Sequence, residues 1–122
     1  MKISSISGVV YRVRDLDRTT EFYETLGFRM GKRDERTATC YVNWFWVTFL
    51  ADDGADGGNG DGGAGAEPGP TLYLKVDDLD DFYGAVLAHG FSPSTEPGKG
   101  PTGRREFLLL DPDGNRLAFF TK

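Results

Sequence analysis

From Ile6 to Val13 apolar and polar residues alternate with β-branched side chains prominent, a pattern that predicts a strand. The period then changes. Phe22, Tyr23 and Leu26 fall at helical spacing, Asp15 and Asp17 are N-cap candidates for a helix from about Arg18, and Gly27 is placed to end it in the left-handed conformation. Phe28–Asp34, Thr37–Val42 and Phe45–Ala51 read as three more strands, which gives the order βαβββ. A second series follows downstream. Leu72–Val76 reads as a strand, Leu79–Ala88 as a helix capped by Gly90, and Ser92–Glu96 as a weaker strand. Arg105–Leu110 and Arg116–Thr121 form a predicted hairpin across Asp111-Pro112-Asp113-Gly114-Asn115, where proline sets φ and Gly or Asn accepts a positive φ.

The two series are copies of one unit. Val13 and Val76, Leu16 and Leu79, and Phe28 and Phe91 are each separated by 63 positions, so the agreement spans a strand end, a helix and its cap. The boundaries are about 1–51 for the first repeat and 71–122 for the second, within one domain of 122 residues. The intervening 52–70 is rich in Gly, Asp and Ala without apolar periodicity, and is expected to be a flexible linker or a mobile loop. Calcium-binding Gly-Asp repeats recur in tandem around a fixed apolar position, and this stretch has neither feature.

Composition narrows the function classes. A net charge of −5 and a pI near 4.8 argue against non-specific nucleic-acid binding, which needs a basic surface. The longest apolar run, Val42–Ala51, is about half of the ~20 residues a helical membrane span requires. The first residues, Met1-Lys2-Ile3-Ser4-Ser5, lack a signal-peptide core, so cytoplasmic residence is expected. Cys40 is the only cysteine and lies in an apolar run, where it reads as a buried, inert thiol. His89, the only histidine, sits at a predicted helix C-terminus, where a cation is favourable, and alone it makes no multi-histidine metal site. Ser4, Ser5, Ser7, Ser92 and Ser94 show no pairing with a base. Glu21, Asp34 and Glu106 are available carboxylates, with Glu106 expected to form an ion pair with a neighbouring arginine.

Arg12-Val13-Arg14-Asp15-Leu16-Asp17, Glu21-Phe22-Tyr23 and Leu26-Gly27-Phe28 together resemble the first-repeat signature of the glyoxalase, bleomycin-resistance and extradiol-dioxygenase (vicinal-oxygen-chelate) superfamily. Gly103-Arg104-Arg105-Glu106-Phe107 through Asp111–Asn115 resembles its terminal hairpin. The resemblance covers the chain apart from the Gly-rich stretch. It implies an α+β fold in which two βαβββ units form a curved, cup-shaped mixed sheet with helices outside. It also implies a ligand cavity inside the cup, and a homodimer. Fold alone assigns no activity.

Strand alternation divides the side chains between two faces. Val9, Tyr11, Val13, Val47, Phe49, Leu72, Leu74, Val76, Leu117 and Phe119 suit the helix side. Gly8, Val10, Arg12, Trp44, Trp46, Thr48, Leu50, Thr71, Tyr73, Lys75, Arg116, Ala118 and Phe120 then face the cup. Metal-binding members of the superfamily carry a His, Glu or Gln on each of four strands. The matching positions here are Gly8, Thr48, Thr71 and Ala118, and none of these side chains suits a divalent ion. No metal and no other cofactor is therefore expected.

Aromatic residues are what remain. Trp44 and Trp46 are expected to share a face with Thr48, either as a core or dimer interface or as a stacking wall for a flat ligand. Tyr73, Phe120, Arg12, Lys75 and Arg116 would complete that wall, and its basic side chains suit an anionic or zwitterionic aromatic compound. The leading expectation is a metal-independent binding protein similar to bleomycin-resistance proteins, holding an aromatic small molecule in a homodimer. A metal-dependent enzyme of the glyoxalase or dioxygenase type and a structural or regulatory dimer without a small ligand are the competing expectations.

Overall fold

The computed structural model describes residues 1–52 and 69–121; most of the Gly- and Asp-rich stretch, 53–68, lies outside the described residues. The chain divides into two compact units, Met1–Asp61 and Gly62–Lys122. Each is a βαβββ module with one four-stranded mixed sheet.

The first module runs β1 (Gly8–Val13), α1 (Leu16–Leu26), β2 (Arg29–Arg33), β3 (Thr37–Val42) and β4 (Phe45–Ala51), with sheet order β1-β4-β3-β2. β1 and β4 are parallel, and the other pairs are antiparallel. Asp15 takes an extended conformation before the helix and accepts a hydrogen bond from the Arg18 amide at 3.0 Å, which satisfies one of the free donors of the first turn. At the other end Gly27 adopts φ +114°. The amide of Phe28 then bonds back to the Tyr23 carbonyl at 3.0 Å, closing a Schellman turn. Leu16, Thr19, Phe22 and Tyr23 recur on one helix face and are buried. The Tyr23 ring packs 4.8 Å from Phe49 and 5.0 Å from Phe28, so this face closes the core on the Val13, Ala38, Cys40, Val47 and Phe49 side of the sheet. Between β2 and β3, Asp34 accepts hydrogen bonds from the amides of Arg36 and Thr37. These bonds hold its carboxyl below the usual carboxylate pKa.

The second module runs β5 (Thr71–Lys75), α2 (Leu79–Ala88), β6 (Gly98–Lys99), β7 (Arg105–Leu110) and β8 (Arg116–Thr121), in the order β5-β8-β7-β6. It repeats the first in detail. Asp78 caps α2 through the Asp81 amide at 2.9 Å, Gly90 takes φ +90°, and the Phe91 amide returns to the Val86 carbonyl at 3.2 Å. Leu79 and Val86 are buried with Phe107, Leu109, Leu117 and Phe119, and Phe82 packs 4.7 Å from Phe119. The loop between β7 and β8 is tied by Asp111, whose Oδ1 accepts from the amides of Asp113 and Asn115 and whose Oδ2 accepts from the Asn115 side chain.

An exposed ion pair joins each helix to its own sheet. Arg33 of β2 reaches Asp17 of α1, and Arg105 of β7 reaches Asp80 of α2.

Two expectations are corrected. Ser92–Glu96 forms no strand. Pro93 and Pro97 cannot donate to a ladder, and the segment is tied to β7 only through the Ser94 amide to the Leu108 carbonyl and the Leu108 amide to Thr95 Oγ1. The short edge strand lies further on, at Gly98–Lys99, opposite Glu106 and Arg105. Trp44 does not share the sheet face of Trp46 and Thr48, because it lies before the first residue of β4. Val42 pairs with Phe45, which leaves Asn43 and Trp44 as the two-residue hairpin turn, with Asn43 at φ +56°. No helix among the described residues is long and apolar enough to cross a membrane.

Candidate functional site

In each module the sheet face turned away from the helix carries the chemistry. On the first, Gly8, Trp46 and Tyr41 are direct neighbours across three strands, as are Val10, Thr48 and Thr39. Trp46 lies flat against β1, and a Cβ added at Gly8 would stand 2.1 Å from its indole. Glycine at position 8 is what admits the ring. Tyr41 does the same one strand over, its ring covering Gly31, with the Arg29 guanidinium 5.0 Å above it. Trp46 and Tyr41 are both half-buried, pair in register, and each lies over glycine backbone of an outer strand. Thr39 and Thr48 share a hydrogen bond of 2.8 Å. Val10 and Arg12 are exposed on this face, whereas Trp44 projects from the turn, 66% exposed, against Phe45.

The second module puts different side chains at the corresponding places. Arg116 pairs with Thr71 as Trp46 pairs with Gly8. Its guanidinium donates to Thr71 Oγ1 at 3.0 Å and to the Gly69 carbonyl at 2.8 Å. Tyr73 and Phe120 meet edge to face at 5.8 Å, and Arg104 lies 5.5 Å above the Phe120 ring. Lys75 is paired with Phe120 but exposed.

Glu106 was not expected here. It is only 5% exposed, pairs with Phe120, and accepts a hydrogen bond from the Tyr73 hydroxyl at 2.9 Å. Burial, followed by the hydrogen bond and the negative charge of Glu106, raises the Tyr73 pKa above its ordinary value. The expected ion pair with a neighbouring arginine does not form, because Arg105 turns to Asp80 and Arg104 to Phe120. The alternation anchored by Phe107 on the helix side carried the signal for Glu106, since it places residue 106 beside Phe120.

The predicted ligand-binding residues thus divide between the modules. Arg12, Trp46 and Thr48 share a face of the first, with Trp44 in its turn, while Tyr73, Lys75, Arg116 and Phe120 share a face of the second.

The sequence profile of the Glyoxalase/Bleomycin resistance protein/Dioxygenase superfamily matches residues 5–119. The chain belongs to this superfamily. Similar solved structures include the bleomycin resistance determinant encoded on the transposon Tn5, at 25% identity with 98% of each chain covered and a TM-score of 0.73. A bleomycin-binding protein complexed with bleomycin is also 25% identical, with 98% of this chain and 99% of that one covered and a TM-score of 0.72. A glyoxalase/bleomycin resistance protein/dioxygenase family enzyme from Burkholderia phytofirmans PsJN shares the fold at 19% identity, covering 94% and 96% of the chains with a TM-score of 0.76. A search of curated protein sequences finds no match.

The superfamily's metal positions do not fit a metal in this chain. Position 8 is glycine lying under the Trp46 ring, and Ala118 is buried without a donor atom. The Thr48 hydroxyl is engaged with Thr39. The Thr71 hydroxyl accepts from a guanidinium, whose charge would repel a cation. No group of three His, Cys, Asp or Glu residues suited to a metal occurs among the described residues.

Proposed function

We propose that this superfamily member is a metal-independent small-molecule binding protein that sequesters an aromatic compound as a cytoplasmic homodimer. The observation that carries the reading is the exchange at Gly8. Where a metal-binding relative has a ligand side chain, glycine makes room for the half-buried Trp46 indole, with the half-buried Tyr41 ring on the next strand. Such a face stacks on a planar ligand. Thr48 and Arg12 supply further contacts on that face, and Trp44 adds an aromatic side chain at its rim; Tyr73, Lys75, Arg116 and Phe120 offer contacts on the second module's own face. The likeness to a bleomycin-binding protein over the whole chain supports the same class of ligand.

The test is a fluorescence titration of chelator-treated protein carrying Trp44→Phe, which leaves Trp46 as the only tryptophan. Bleomycin and a panel of planar aromatic compounds are the titrants. Saturable quenching in the absence of divalent ions is expected. In the parent protein, Trp46→Ala should weaken binding, read by calorimetry, by about 1 kcal/mol or more, while sedimentation shows the dimer intact. A response that appears only after a divalent ion is restored would overturn the proposal.

A further inference from the structure

On the reading of this chain as a binder of aromatic compounds, we infer that Arg29 fixes the charge of the ligand. It takes the carboxylate of an aromatic acid whose ring lies on the Trp46 indole. The site lies wholly within the first module.

The sheet of that module is one-sided in charge. Its four strands carry Arg12, Arg29, Lys32 and Arg33 and no Asp or Glu, in a chain whose net charge is −5. Arg33 is paired with Asp17 of α1. Arg29 is placed differently. It pairs in register with Tyr41, which puts it on the same sheet face as Trp46, and it meets no carboxylate among the described residues. Its guanidinium instead lies 5.0 Å over the Tyr41 ring, and Nη2 donates to the Asn43 carbonyl at 3.4 Å. Nε and Nη1 make no hydrogen bond among the described residues. A guanidinium stacked on a ring and tethered at one corner has lost part of its freedom before a ligand arrives, and its planar fork matches a carboxylate.

Register sets the span. Arg29, Tyr41, Trp46 and Gly8 are successive partners across β2, β3, β4 and β1. The cation sits over Tyr41 and the indole over Gly8, so two strand spacings, ~10 Å, separate them. A fused ring stacked on the indole, with its acid on a one-carbon arm directed along the row, brings the carboxylate to the free edge of the guanidinium. Thr39 and Thr48, beside this row, satisfy each other's hydroxyls and add no charge. An ammonium in the same place would face Arg29 and Arg12 with no acid on the strands to hold it. A neutral amide would keep the ring contact and lose the charge-assisted pair.

The experiment compares two probes that share a ring and differ in charge, indole-3-acetate and indole-3-acetamide. Each is titrated into the ¹⁵N-labelled full chain carrying Trp44→Phe, while the Trp46 indole N–H and the amides of Arg29 and Tyr41 are followed by NMR. The acid is expected to shift all three saturably and to bind about fivefold more tightly than the amide, the upper end of what an exposed ion pair contributes. Arg29→Gln should erase the difference between the probes, with the dispersion of its spectrum reporting that the fold is kept. Arg29→Lys, which keeps the charge without the planar fork, should retain only part of it. Lys32→Gln removes the same charge from the same strand and should leave the preference standing, which separates an anchor from a general positive field. Equal binding of the two probes, a preference for the amide, a preference that survives Arg29→Gln, or one lost equally in Lys32→Gln would each overturn the inference. A Trp46 N–H that shifts with both probes at one affinity would remove the anchor and leave the stacking face in place. Silence at Trp46 with both probes would remove the stacking face and the anchor with it.

Discussion

Gly8 and Trp46 face each other across the parallel strands β1 and β4, and the indole occupies the space that a Cβ at position 8 would need. Gly8→Ala must therefore move the ring. The strain is expected to lower stability by about 1–3 kcal/mol in urea unfolding, and to shift the emission of the single-tryptophan protein. Gly8→His should gain no affinity for zinc by calorimetry, because the new side chain meets the indole before it meets an ion. A mutant with unchanged stability and emission would show that the ring does not rest on the strand.

Asp111 is 4% exposed and holds the β7–β8 turn through the amides of Asp113 and Asn115 and the Asn115 side chain. Asp111→Ala is expected to cost about 2–3 kcal/mol, measured by chemical denaturation. Asp111→Asn, which keeps one acceptor oxygen for the two backbone amides, should recover part of the loss.

Thr19 Oγ1 is buried in the core side of α1 without a hydrogen-bond partner. Replacing the hydroxyl by a methyl of similar shape removes an unmet polar group, so Thr19→Val should leave stability unchanged or raise it by up to about 1 kcal/mol. Thr19→Ser keeps the hydroxyl and empties the methyl's space. Its melting temperature should fall, and a higher value for Ser than for Val would contradict the assignment.

Burial pushes the Cys40 thiol up to about 12 from its ordinary 9.0. The folded state thus disfavours the thiolate. As pH rises above 9 the unfolded chain loses its thiol proton while the folded chain retains it, so stability declines between pH 9 and about 12. Cys40→Ala should flatten that decline. The native thiol should react with a disulfide reagent only at the rate of unfolding.

Much of this architecture was legible because it rests on short-range signals. Asp15, Gly27, Asp78 and Gly90 mark helix ends by local backbone chemistry, and the structure reproduces that chemistry in both copies. Trp44 was misplaced because alternation was extended one residue past the strand, when a two-residue turn was needed to bring Val42 opposite Phe45. Ser92–Glu96 failed as a strand because it was placed by analogy with the first copy, while Pro93 inside it and Pro97 just after it lack the amide donors a ladder needs. Glu106 was read as a surface ion-pair partner because charge in a sequence suggests exposure. Its burial depends on Tyr73, 33 positions away, and on Gly100, whose lack of a side chain becomes meaningful only when the two are side by side.

Asp17 and Asp80 hold the same place in the two copies, yet one takes its arginine from the second strand of its module and the other from the third. Exposed pairs of this kind contribute at most about 1 kcal/mol and weaken further with salt. A contact of so little weight can be released by one strand and taken up by another without loosening the helix, whose apolar face holds it down. The two halves have thus had latitude to drift apart in their surface charges while keeping one internal plan.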